Sequence, residues 1–140
     1  MGNLFDLTGK VAVITGSTKG IGKAMAQRMA EHGAKVVISS RKADICDQVA
    51  SEITAAGGTA MAIPCNISDE SQLQNLVDKT IAAWGGIDVL VCNAAAHALH
   101  RLGEPDDIAG IAVYLAAPSG RWTTGQTFVI DGGSTITSRY

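Results

Sequence analysis

Thr15-Gly16-Ser17-Thr18-Lys19-Gly20-Ile21-Gly22 is the stretch on which the reading of this chain turns. A short β-branched run, Val11 to Thr15, precedes it, and a helical pattern, Gly20 to His32, follows it. Three glycines with GxxxGxG spacing thus fall where a strand gives way to a helix. Glycine allows backbone angles that a Cβ forbids, so the chain can turn tightly and bring its amides against a pyrophosphate. The free N–H groups and the positive end of the helix dipole then face the anion. Glycine also marks ordinary turns. It is the strand before and the amphipathic helix after that make dinucleotide binding the expectation.

Outward from this loop, strand and helix patterns alternate. Ile21, Met25 and Met29 form one apolar stripe on the first helix, Gly33 closes it, and Lys35 to Ser39 is a second strand, completing a βαβ unit. A second helix runs from about Ala43 to Ala56, with Ile45, Val49 and Ile53 four apart, and Gly57-Gly58 ends it. Thr59 to Pro64 reads as a third strand. Asp69 and Gln72 give a capping-box-like start to a third helix, whose inner face carries Leu73, Leu76, Val77, Ile81 and Trp84 before Gly85-Gly86 stops it. Ile87 to Cys92 is a fourth, nearly continuous apolar strand. The stretch from Ala94 to Leu102 has no clear period. Pro105 suits the first position of a helix with buried Ile108, Ile111, Ala112 and Leu115; Pro118 stops it, and Gln126 to Asp131 reads as a fifth strand. The expected fold is α/β, a Rossmann-like doubly wound parallel sheet of about five strands, in one domain spanning residues 1–140.

Composition agrees with that class. The chain is 46% hydrophobic, 17% charged and only 4% aromatic, so its core must come from Ala, Val, Ile and Leu. A net charge of −2 with scattered Lys and Arg leaves no basic footprint for nucleic acid. Cys46, Cys65 and Cys92 cannot all pair and lack metal-ligand spacing, so they read as reduced core thiols, and no metal site is expected. With no apolar signal core and no membrane-length apolar stretch, the expectation is a soluble cytoplasmic protein.

The segment TGSTKGIG resembles the TGxxxGIG cofactor loop of the short-chain dehydrogenases and reductases. The resemblance extends over nearly all of residues 1–96 and about 101–134. It includes Val91-Cys92-Asn93-Ala94-Ala95, similar to the family's NNAG, and the segment from Thr124-Gly125-Gln126 to Asp131-Gly132-Gly133. Cys92 and Ala95 depart from that motif, reducing backbone freedom beside the nicotinamide ribose. Asn66 stands where the family commonly has an Asp meeting the adenine amino group, and its amide oxygen can still accept that bond. The resemblance implies a cofactor site built from Gly16, Thr18, Lys19, Gly20, Ile21, Gly22, Ser40, Arg41, Lys42, Asn66, Ile67, Asn93, Ala94 and Ala95.

Where an NAD-preferring site places an acid at the end of the second strand, this chain reads Ser39-Ser40-Arg41-Lys42. Arg41 offers a planar donor fork for a 2′-phosphate, Lys42 adds charge, and Lys19 can approach from the loop, so NADP(H) is expected ahead of NAD(H).

The family's reaction also needs a Ser and a Tyr-x-x-x-Lys pair, and no such pair is present: Tyr114 is followed four positions on by Pro118, and Tyr140 is the last residue. Asn93-Ala94-Ala95 looks like the end of the family's fourth strand, while Arg101-Leu102-Gly103-Glu104-Pro105 looks like the approach to its last helix. The resemblance therefore implies an internal deletion near 96–101 that removes the catalytic residues and most of the substrate pocket. A real deletion, an engineered minimal domain and a sequence assembled from the ordered parts of a longer chain all remain open. His97 and His100 read as surface residues, with His100 the one conceivable proton donor. The functional expectation is a self-associating NADP(H)-binding domain of a short-chain oxidoreductase, with hydride transfer to or from carbonyls and alcohols only if the missing segment is present in the native chain. The alternative is a catalytically inactive cofactor-binding or self-associating minimal Rossmann protein. If the deletion is real, strand 126 to 131 is expected beside strand 87 to 92, giving the order 3-2-1-4-5.

Overall fold

Val-Ala-Val-Ile-Thr at 11–15 and Lys-Val-Val-Ile-Ser at 35–39 carry so many β-branched apolar residues that both faces of each strand need cover. The computed structural model, which describes residues 2–93, 104–128 and 130, makes these the two central strands. β1 (Val11–Thr15) and β2 (Lys35–Ser39) pair in parallel, from Val11 opposite Lys35 to Thr15 opposite Ser39. β3 (Thr59–Ala62) joins β2 on one side and β4 (Val89–Val91) joins β1 on the other, both parallel, giving the order β3-β2-β1-β4. Among the described residues there are four α-helices, α1 (Gly20–Glu31), α2 (Ala43–Ala55), α3 (Glu70–Trp84) and α4 (Asp106–Ala116).

Both faces of the sheet are covered. On one, Ala12, Ile14, Val36 and Ile38 pack against Met25 and Met29 of α1, Val49 and Ile53 of α2, and Ala109 and Val113 of α4. On the other, Val13, Val37 and Ile63 pack against Leu76 of α3. Each such fully buried aliphatic side chain contributes about 1.5–3 kcal/mol. The expected α/β, doubly wound parallel sheet is therefore present, with four strands among the described residues.

Several expectations need correction. Residues 126–128 and 130 are not in strand, and among the described residues β4 pairs with β1 alone. Phe128 instead meets Tyr114 of α4 edge to face, with ring centroids 6.5 Å apart. Val129 and residues 131–140 lie outside the described residues, as do residues 94–103, which include His97 and His100. The open side of β4 borders a groove of about 560 Å³, walled by Val89, Val91, Ile108, Ile111 and Leu115.

On α3, Leu76 is buried and Leu73 half-buried, but Val77 and Ile81 are 37% and 48% exposed. Leu90, which alternates with the inward Val89 and Val91, is 62% exposed. The periodicity marks a face suited to burial, yet none of the described residues covers that part of it. Cys92 is exposed, unlike buried Cys46 and Cys65, because β4 has ended at Val91 and the chain is leaving the sheet. Pro105 sits one residue before α4 rather than inside it, already with helical angles of φ −54° and ψ −30°.

α4 is fastened to α1 by Arg28. Its Nε and a terminal nitrogen each reach one Asp106 oxygen, at 3.1 and 2.5 Å, while its other terminal nitrogen meets Glu31 at 2.7 Å. The hydrogen bonds from Arg28 hold the Asp106 carboxyl below the usual carboxylate range. Because the folded-state pKa is depressed, this contribution is complete above the unfolded carboxylate pKa of about 3.9 and is lost as pH falls through the folded value. We expect urea-unfolding midpoints to fall between pH 5 and pH 3, and Asp106→Asn to flatten part of that slope. The pair is exposed, so the effect is small and weakens with added salt. An unchanged slope in the variant would assign the acid sensitivity to other carboxylates.

Candidate cofactor site

At the C-terminal ends of β1, β2 and β3 the chain turns outward three times, and the three turns enclose a cavity of about 750 Å³. Its first wall is the glycine loop, with Thr15, Gly16, Thr18 and Lys19. The second is Ser39 to Lys42 with Ile45 behind it, and the third is Cys65 to Ser68. Of the residues singled out from the sequence, Gly16, Thr18, Lys19, Ser40, Arg41, Lys42, Asn66 and Ile67 meet here.

The loop has its shape for local reasons. Gly16 and Gly20 have φ of 65° and 55°, a region that side chains with a Cβ rarely enter. Gly22 lies beneath the loop rather than on its surface, where an added Cβ would strike the carbonyl oxygen of Gly16 and come within 2.5 Å of Asn93 Nδ2. Asn93, just past β4, locks the loop to the sheet. Its Nδ2 donates to the carbonyls of Thr15 and Gly16, each at 3.2 Å, and its backbone N–H donates to Thr15 Oγ1 at 3.0 Å. Gly22 and Asn93 therefore support the loop from beneath, and neither they nor Gly20 and Ile21 are among the residues lining the cavity. Ala94 and Ala95 lie outside the described residues.

The charge pattern suits an anion. The N-terminus of α1 has no side-chain cap and no acidic residue in its first turn, so its free N–H groups and dipole are available to a ligand. Lys19, Arg41 and Lys42 contribute three cations, and among the described residues no carboxylate lines the cavity. Ile45 and Ile67 give apolar surfaces suited to a flat base. Asn66 is fixed from two sides: its N–H donates to Gln72 Oε1 at 2.8 Å, and its carbonyl accepts from Asp69 N–H at 3.0 Å. Asp69 caps α3 by accepting from the N–H groups of Ser71 and Gln72. Its bonds from Ser71, then from Gln72, keep its carboxyl below the usual range. The Gln72 side chain thus serves Asn66 rather than returning to the Asp69 N–H, as the expected capping box would have it. Burial, reinforced by Asp69, pushes the Cys65 thiol up, so it is a neutral wall and not a nucleophile at pH 7.

The sequence reading missed Thr15, Ser17, Ser39, Ile45, Cys65 and Ser68 as parts of the site or its support. Thr15 and Ser39 end paired strands, a position that marks the ligand crevice in open α/β sheets and was a usable signal. Ser17 had none. Outside the cavity, Tyr114 shares a hydrogen bond with Thr123 Oγ1 at 3.1 Å.

A parallel 3-2-1-4 sheet with a glycine loop, an uncapped helix and a crevice at its strand ends defines a nucleotide-binding Rossmann-type domain. The sequence profile of the short chain dehydrogenase family matches residues 10–113, and the chain belongs to that family. A second profile, described as enoyl-(acyl carrier protein) reductase, matches residues 95–135. The chain is 44% identical over 91 residues to short-chain dehydrogenase/reductase SDRA of Arabidopsis thaliana, covering 65% of this chain and 36% of the relative. Among solved structures, a metagenomic short-chain oxidoreductase in complex with NADP is 39% identical with a TM-score of 0.61, covering 80% of this chain and 52% of that one. A hydroxysteroid dehydrogenase from Escherichia coli superposes with a TM-score of 0.82 at 23% identity, covering 92% of this chain and 98% of that one, a likeness of fold. This chain spans about a third of the length of the curated relatives it matches. The domain is of the NAD(P)-binding type, and no described helix is long and apolar enough to cross a membrane.

Proposed function

We propose that this chain is the NADP(H)-binding domain of a short-chain oxidoreductase acting on carbonyls or alcohols. The observation that carries the cofactor choice is the cavity wall itself: among the described residues Lys19, Arg41 and Lys42 line it without a carboxylate. A 2′-phosphate at the Ser40 to Lys42 turn would meet cations, whereas a 2′-hydroxyl would find no acid to accept its hydrogen bond. The pyrophosphate would lie against the glycine loop and the start of α1, with the base between Ile45 and Ile67 near Asn66. The relative crystallised with NADP supports this reading.

When bound, the nicotinamide supplies or accepts hydride. The described residues of this chain would bind and orient the cofactor, and none of them lies where a proton donor to the developing alkoxide is needed. No Tyr in the sequence is followed four residues on by Lys. We therefore place the catalytic Ser, Tyr and Lys in a segment that belongs near residues 96–101. Without that segment the chain is a cytoplasmic cofactor-binding protein that self-associates and turns nothing over.

NADPH fluorescence titration combined with an aldehyde and ketone reduction assay tests the proposal. A chain of 14.4 kDa by intact mass is expected to bind NADPH and show no reduction above background. A native chain nearly twice that mass is expected to reduce carbonyls. Failure to bind NADPH would overturn the assignment, and turnover by the 140-residue chain would overturn the account of its catalytic residues.

A further inference from the structure

Within the glycine loop one side chain turns inward. Ser17 is fully buried, and its hydroxyl bridges two strands: Oγ donates to the Ile14 carbonyl at 2.7 Å and accepts from the Ser39 N–H at 2.8 Å. Its own N–H donates to the Ser39 carbonyl at 3.1 Å. The ladder between β1 and β2 has its last pair at Thr15 and Ser39, after which Gly16 turns the chain out of the sheet. Ser17 continues that ladder by one step, using a side-chain oxygen where the departing backbone no longer offers a carbonyl.

The residue held in this way is the one from which the opposite wall springs. Ser39 and the next three residues, Ser40, Arg41 and Lys42, all line the cavity. The side chains that would meet a 2′-phosphate are exposed and belong to a short turn before α2. The turn is tied to α2 and to the third wall, where Cys46 N–H donates to the Lys42 carbonyl at 3.1 Å and Cys65 N–H to the Ser40 carbonyl at 2.9 Å, but neither bond reaches the glycine loop. The link from this turn to that loop runs through the Ser17–Ser39 junction, where both backbone groups of Ser39 are engaged by one residue of the loop.

We propose that Ser17 is a positioning residue that sets cofactor selectivity, holding the 2′-phosphate wall at a fixed distance from the pyrophosphate loop. The proposal rests on the NADP(H) reading above. A ligand held at the loop and between the apolar faces of Ile45 and Ile67 tolerates a small change in that distance, because apolar contact has no directional requirement. One that must bridge loop and Arg41 at once depends on it strongly, because charge-assisted hydrogen bonds weaken steeply with misplacement. Removing the hydroxyl leaves the buried Ser39 N–H without its acceptor, and the turn relaxes to find another.

The experiment is calorimetric titration of the full chain and its Ser17→Ala and Ser17→Cys variants with NADPH and with NADH, alongside thermal melts. Ser17→Ala is expected to weaken NADPH about tenfold and NADH less than about threefold, collapsing the ratio between them. Ser17→Cys keeps a weaker acceptor of similar size and is expected to fall between; it carries the test if the alanine variant does not fold. A purely architectural serine would lower both affinities by the same factor in step with the melting temperature, and that result overturns the proposal. The wild-type ratio reports separately on the underlying assignment. If the unmodified chain does not prefer NADPH, the NADP(H) reading fails first and the role given to Ser17 falls with it.

Discussion

Gly22→Ala is expected to unfold this domain's cofactor loop and to lower its stability by about 3 kcal/mol in urea titration. The new methyl group would press on the Gly16 carbonyl oxygen, which is backbone and cannot swing aside, and on Asn93 Nδ2 at 2.5 Å. Asn93 is the residue that ties Thr15 and Gly16 to the sheet. Relieving the clash therefore breaks the bonds that shape the loop, and NADPH affinity is expected to fall by about 100-fold or more. Gly110→Ala is the matched control, because its Cβ would meet nothing within 4 Å and it lies inside α4. There the helix preference of alanine is expected to raise stability by about 1 kcal/mol with no effect on binding. Equal, small effects at the two glycines would show that the packing beneath the loop tolerates a side chain.

Arg41→Asp is expected to invert the cofactor preference. The substitution removes the guanidinium from the turn after β2 and puts a carboxylate where a 2′-phosphate would stand, so NADPH affinity should drop about 100-fold. The same carboxylate can accept from a ribose 2′-hydroxyl, and NADH is expected to bind several-fold more tightly. Arg41 is exposed and makes none of the ion pairs found among the described residues, so the variant should melt with the parent chain. Unchanged affinities for both cofactors would remove Arg41 from the 2′-phosphate site and point to Lys19 or Lys42 instead.

The parts of this molecule that were legible in its sequence are those fixed by nearest neighbours along the chain. Val11–Thr15 and Lys35–Ser39 are strands by composition alone, and the glycines at 33, 57 and 85 all take positive φ at helix ends. The cavity walls at Lys19, Arg41 and Asn66 followed from the strand–turn–helix order, because such turns converge at one end of a parallel sheet.

What was not legible depends on partners distant in sequence. Phe128 and Ile130 alternate as a strand should, but alternation states which residues want burial and not which edge receives them. Val77 and Ile81 read as core by spacing, and only the assembled layers show nothing described above them. Ser17 was the hardest case. Serine in a glycine-rich turn is ordinarily a solvent-facing residue, and its buried bond to Ser39 spans 22 positions of sequence.

The strand order has a consequence for how such a chain can be lengthened. The nucleotide crevice is built on β1, β2 and β3, whereas the stretch 94–103, between the end of β4 and the start of α4, falls outside the described residues. None of the strand pairings and none of the crevice walls found among the described residues draws on that stretch. On its side away from β1, β4 pairs with none of the described residues, and its backbone groups there suit a further strand. The described part of the molecule is in this sense modular: the walls of the crevice and the join after β4 share no lining residue, so length can change at one without redesigning the other.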